Sequence, residues 1–173
     1  SVVKLMNGGA MFETGAGGSA PKHVQQLVAE GHLRWDSLGE FCALGESLNF
    51  IAETSGNKKA GVLGKAVDKA TQMVLENDKS PARRVGETDT RDSHFFFTLY
   101  WAEALAAQTE DRELADHFME LATNLRKNES KIVSELASVQ GNPCDLGGYY
   151  HAADKKVENV MRPSETLNSI ISN

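Results

Sequence analysis

The apolar positions of this chain recur mostly every three or four residues. From about Lys58 to Glu76, Val62, Ala66, Ala70 and Val74 fall on every fourth position, the spacing of one helix face. Ser37 is placed to open an earlier helix whose face carries Leu38, Phe41, Leu44, Leu48 and Ile51, and Gly56 ends it. A helix from about Asp92 to Gln108 holds HFFFTLYWAEALAA, the most aromatic stretch of the chain. The next starts near Asp111. Its stripe of Leu114, Phe118, Leu121, Leu125, Ile132, Leu136 and Val139 bends or breaks near Asn128.

At the ends the pattern is weaker. SVVKLM has the composition of a short strand, and NGG reads as a turn. Ser19 is a natural N-cap, with Pro21 in the first turn of a helix that runs to about Glu30 and stops at Gly31. NDKSPARRVGETDTRD and GNPCDLGGYYH read as loops, and RPSETLNSIISN holds one short helix capped by Ser164. No internal repeat is visible. The expected fold is mainly α: packed helices with a short N-terminal strand or loop, in one domain spanning 1–173.

Composition narrows the function classes. The 173 residues are 40% hydrophobic, enough for a core, and no apolar run approaches the ~20 residues of a membrane span. The net charge of -6 argues against nucleic acid as the main partner. Cys42 and Cys144 form neither a CxxC pattern nor a disulfide framework; Cys42, at an apolar helical position, is expected to be a buried, inert thiol. These features fit a reducing cytoplasm. The chain begins at Ser1 rather than methionine, which points to a processed, trimmed or partial chain.

Candidate chemistry concentrates in ETGAGGSAPKHVQQ. Glycines before a helix start let backbone approach a ligand, and the unpaired N–H groups with the positive end of the helix dipole suit a phosphate. Lys22 and His23 would add cationic donors. GAGGSA fits GxGxxA, but no clean strand precedes it and no parallel sheet follows, so a dinucleotide fold of the βαβ kind is not expected. The same residues also make a plain tight turn into a helix, and spacing alone leaves both readings open. In HLRWDSLGE, Arg34 can fork onto a phosphate and Asp36 can accept ribose hydroxyls; taken alone, Asp36 is as well explained as a helix cap and Arg34 as a solvated charge. Arg83 and Arg84 stand in a loop. If Arg83 converges on Arg34 and His23, the three suit a dianionic phosphomonoester. His94 reads as helix core, and Trp35 and Trp101 as packing residues. No HExxH, GxSxG or phosphate-binding P-loop occurs, and no catalytic residue or metal ligand can be singled out.

LMNGGAMFETGAGGSAPKHVQQ, LRWDSLGEF, SPARRVGETDTRDSHF, LYWAEALAAQTED, GYYH and RPSETLN, in that order, resemble the monomeric-type NADP-dependent isocitrate dehydrogenases of bacteria. The resemblance covers essentially the whole chain. It implies oxidative decarboxylation of isocitrate to 2-oxoglutarate with NADP and Mg or Mn. It also implies that this chain is the C-terminal part of a longer enzyme, belonging to its cofactor-side α/β domain. Ser19, His23, Arg34, Asp36 and Arg83 match the family's cofactor positions. His23, Arg34 and Arg83 would surround the adenosine 2′-phosphate, Ser19 and the glycine loop would meet the cofactor, and Asp36 would lie near the adenosine end. The family's metal-binding aspartates and isocitrate-binding residues have no match in this chain, so alone it is expected to be inactive. Two other readings remain open here: a free-standing truncated homologue that binds NADP or another nucleotide without turnover, and a helical oligomeric or regulatory protein. A free-standing chain would leave apolar helix faces exposed and is expected to form homo-oligomers.

Overall fold

The structure is a computed structural model that describes residues 16–148 and 150–172, with side chains from Pro21 onward. The short strand expected in SVVKLM and the NGG turn lie outside the described residues. Eight helices follow one another among the described residues, without a strand: α1 (Ala16–Glu30), α2 (Leu38–Ser55), α3 (Lys58–Glu76), α4 (Thr90–Ala107), α5 (Arg112–Lys127), α6 (Glu129–Ser138), α7 (Asp154–Met161) and α8 (Glu165–Ile171). The mainly α reading is therefore correct.

α4 is the centre of the core. Phe95, Phe96, Phe97, Leu99, Tyr100, Ala102 and Leu105 are all buried. α3 packs on it through Val67, Ala70 and Val74, α2 through Phe41, and α5 and α6 through Leu125, Ile132 and Leu136. Phe41 and Phe97 stack face to face with ring centroids 3.9 Å apart. The fourth-residue pattern of α3 is buried as expected, Val62, Ala66, Ala70 and Val74 alike. Trp101 packs between the two parts of the core and donates from its indole N–H to the Leu63 carbonyl, 3.3 Å.

The face of α2 differs from expectation. Phe41 and Gly45 point inward, whereas Leu44 and Ile51 are exposed. Small residues decide this. A Cβ at Gly45 would run into the Asp68 carboxylate, and one at Gly64 into the Asn49 amide. The α2–α3 contact therefore follows its glycines rather than its largest side chains. For the same reason Cys42, next to Phe41 but turned about 100° from it, is exposed and not buried.

Helix ends follow cap chemistry. Asn57 accepts from Ala60 N–H, Asp111 from Leu114 N–H and Ser164 from Leu167 N–H. α4 starts at Thr90 rather than Asp92, because Asp89 and Asp92 form a reciprocal capping box. The break at Asn128 is real and separates α5 from α6. α7 has no counterpart in the sequence reading, since none of its residues is buried and its apolar pattern is short.

Candidate functional site

The site begins where α1 ends. α1 starts at Ala16, so Ser19 lies in its first turn instead of capping it, and Pro21 falls within the helix. Gly17 and Gly18 are thus helical rather than part of a loop in front of the helix. The Ser19 side chain is outside the described residues. Val24 and Leu27 bury one side of α1, and Gly31 closes it with φ of 61°. A Cβ at Gly31 would lie 2.6 Å from the Val139 carbonyl oxygen and 2.7 Å from that of Asn142. Only glycine fits the turn that launches the next segment.

That segment, 32–37, is irregular and held by the first residues of α4. Leu33 N–H donates to the Asp89 carboxylate at 3.2 Å. Thr90 N–H donates to the Leu33 carbonyl at 2.8 Å, and the Thr90 hydroxyl reaches the Leu33 and Trp35 carbonyls at 2.9 and 2.6 Å. Arg91 donates to the Gly31 carbonyl at 2.6 Å and to the Val160 carbonyl at 2.9 Å, and it pairs with Asp89 at 2.6 Å. Both partners of this ion pair are almost wholly buried, so the pair is kept by its extra hydrogen bonds to backbone. Beside it, burial and the Asp89 charge push the Asp92 carboxyl up to about 6.

On this frame His23 and Arg34 come together. Arg34 sits close enough to lower the His23 pKa, adding to the larger effect of burial. The His23 ring meets Trp35 edge to face, with centroids 5.5 Å apart. Trp35 in turn donates to Glu40 at 3.2 Å, so it forms a fixed wall. Nδ1 of His23 and Nε of Arg34 are buried atoms without a hydrogen-bond partner among the described residues. Buried nitrogens without a partner are uncommon and costly.

Arg83 approaches from the loop between α3 and α4. Its carbonyl accepts from the Gln26 side chain at 3.1 Å, which sets the loop against α1 one turn beyond His23. The Arg83 guanidinium is exposed and has no ion-pair partner among the described residues. Asp36 behaves differently. It is exposed, and its carboxylate accepts from Leu38 N–H at 3.0 Å, so it caps α2, as one of the two sequence readings has it. His94 is no core residue: it keeps an exposed face, with its ring edge on Phe41 and Nε2 2.8 Å from the Ser37 hydroxyl.

A cavity of about 270 Å³ bounded by Arg91, Phe95, Leu136, Met161, Arg162 and Leu167 lies apart from this cluster; His23, Arg34 and Arg83 do not line it. Among the described residues no group of three or more His, Cys, Asp or Glu side chains is arranged to hold a metal ion, so the residues present do not fit a Mg or Mn site. No described helix is long and apolar enough to cross a membrane. Sequence reasoning missed His32, Gln140 and Gln26. His32 was visible only as part of a charged cluster, and the two glutamines carry no signal until the loops they bridge are brought together.

Fold and site together define the class: a helical domain with a histidine–arginine corner beside the end of its first helix. The chain belongs to the monomeric isocitrate dehydrogenase family, whose sequence model matches residues 1–172. It is 58% identical over 172 residues to isocitrate dehydrogenase (NADP) 2 of Colwellia maris, covering 99% of this chain and 23% of that protein. It is 57% identical over 171 residues to isocitrate dehydrogenase (NADP) 2 of Mycobacterium tuberculosis, with the same two coverages of 99% and 23%. Isocitrate dehydrogenase (NADP) of Azotobacter vinelandii is 56% identical over 172 residues. The chain thus spans about 23% of the length of the curated relatives it matches.

Proposed function

We propose that this chain supplies the NADP 2′-phosphate pocket of an isocitrate dehydrogenase that oxidatively decarboxylates isocitrate to 2-oxoglutarate. The observation that carries the reading is the pair of unpartnered buried nitrogens on His23 and Arg34, with Arg83 delivered beside the same helix. A phosphomonoester dianion offers oxygen acceptors for all three groups. NAD lacks that phosphate, so the pocket selects NADP. Ser19 and the glycines before it would meet the cofactor. Asp36, fixed in orientation by its cap, would lie near the adenosine end. The nicotinamide supplies the hydride acceptor when the cofactor is bound; this chain's own residues bind and orient its far end.

The metal ligands and the isocitrate-binding groups would come from sequence outside this chain, where a cleft could hold substrate and nicotinamide in reacting geometry. The two free thiols fit a reducing cytoplasm. NADP and NAD titrations of the complete natural polypeptide, followed by an isocitrate assay with manganese, test the reading. His23→Ala or Arg34→Ala is expected to weaken NADP by roughly 10- to 100-fold, the range of a lost charge-assisted hydrogen bond, and to leave NAD nearly unchanged. Equal losses for both cofactors would remove the 2′-phosphate assignment.

A further inference from the structure

We propose that Gln140 and His32 are positioning residues that set the Arg83 loop against the Arg34 segment and thereby determine NADP preference; the proposal rests on the phosphate pocket described above. Gln140 lies two residues beyond α6 and is buried. Its amide N–H donates to the Glu87 carbonyl at 3.0 Å, and its Oε1 accepts from Gly86 N–H at 2.7 Å. These two contacts fix which way the amide faces. The same Oε1 lies 2.8 Å from Nδ1 of His32. The opposite ring nitrogen of His32 lies 2.8 Å from the carbonyl of Ala82.

His32 precedes Arg34 by two residues and Ala82 immediately precedes Arg83. One fully buried ring therefore bridges the backbone of the two segments that carry the guanidinium groups. Among the described residues the Arg83 loop is otherwise held by Ala82 N–H to the Thr88 carbonyl at 2.8 Å, by Glu87 N–H to the Arg84 carbonyl at 3.2 Å, and by Gln26 of α1. Neither Arg34 nor Arg83 has a side-chain partner among the described residues, so where each guanidinium can reach is set by its backbone. Preorganisation of this kind raises affinity by removing an ordering cost at binding. Both ring nitrogens face acceptors, Gln140 Oε1 and the Ala82 carbonyl, so a neutral His32 donates to one of the two and only the imidazolium donates to both. A polar contact this deeply buried is costly to break.

The test uses the complete natural polypeptide and four forms of it: unaltered, Gln140→Met, Arg83→Ala and the double variant. Methionine keeps the length of the side chain and removes all three polar contacts. Gln140→Met is expected to weaken NADP about tenfold with NAD changed less than about twofold, and to add less than about twofold to the loss already caused by Arg83→Ala. Equal weakening of NADP and NAD would make Gln140 a purely structural residue and overturn the proposal. So would a full Gln140→Met loss persisting on the Arg83→Ala background. If Arg83→Ala itself fails to separate NADP from NAD, the phosphate pocket fails and the proposal with it. Should Gln140→Met not fold, Gly86→Ala provides the second variant. Gly86 is exposed, has φ of 89°, and has open space where a Cβ would stand, so the substitution strains the loop alone. It is expected to lower NADP affinity selectively, and an unchanged NADP to NAD ratio would overturn the proposal.

Discussion

His23 and Arg34 share one half-buried corner, where burial and the Arg34 guanidinium raise the cost of charging His23. The His23 pKa is lowered from its ordinary 6.5 first by burial and then by Arg34. A bound phosphate favours the imidazolium, so the pKa rises on binding and the complex takes up a proton. The sign follows: NADP affinity is expected to climb several-fold as pH falls from about 8 to about 6.5, and to flatten below about 6, where the phosphate begins to take up its own proton. NAD affinity should stay flat over the same range. Titrations at pH 8, 7 and 6.5 check this. His23→Gln should abolish the slope; a slope that survives in that variant would place the titrating group elsewhere. These residues were legible as types, cationic donors of the kind a phosphate needs, but only the family resemblance, and no spacing, put them together. His23 and Arg34 are separated by a helix stop at Gly31 whose direction depends on the carbonyls of Val139 and Asn142.

At the scale of elements, the turn at Gly31 is the joint between α1 and the segment that delivers Arg34. Its φ of 61° and the two carbonyls around it leave no room for a methyl group. Gly31→Ala combines the left-handed penalty of about 1–2 kcal/mol with a clash against backbone that cannot move cheaply, so a loss of roughly 2–4 kcal/mol is expected in urea unfolding. NADP preference should fall with it, because Arg34 is re-aimed. An Ala variant with an unchanged midpoint would show that the turn can relax. α3, α5 and α6 were readable because their apolar period matches the helix, and the first two also carry standard caps in Asn57 and Asp111. The packed face of α2 departs from its apolar pattern at two positions because glycines, which carry no hydrophobic signal, chose it. α7 is silent in the sequence, since a helix without buried residues leaves no pattern.

Across the whole molecule, the Asp89–Arg91 pair joins parts far apart in the chain. It ties the end of α1 through Gly31, the 32–37 segment through Leu33, the start of α4, and the end of α7 through Val160. Removing one partner of such a pair leaves a buried charge unpaired. Arg91→Met is therefore expected to cost about 3–5 kcal/mol in denaturant unfolding and to weaken NADP and NAD alike. This is the behaviour of a framework residue, in contrast to the selective loss expected for Gln140→Met. An unchanged unfolding midpoint would reject it. NADP itself should raise the unfolding temperature more than equal NAD, because a ligand stabilises the form that binds it by its own affinity.

The order of residues alone determined the helical class, most helix limits, the aromatic core of α4 and the family to which the chain belongs, because periodicity, caps and matched motifs are local and survive in one dimension. It also marked His23, Arg34 and Arg83 as donors suited to a phosphate. Tertiary structure alone decided that the first two meet, that the Arg83 loop lies against the same helix, and that Gln140 and His32 stand between the loops. Those outcomes depend on contacts over 50 or more positions, such as His32 with Ala82 and with Gln140. Such contacts are set by which surfaces can be buried together, and no local pattern encodes that.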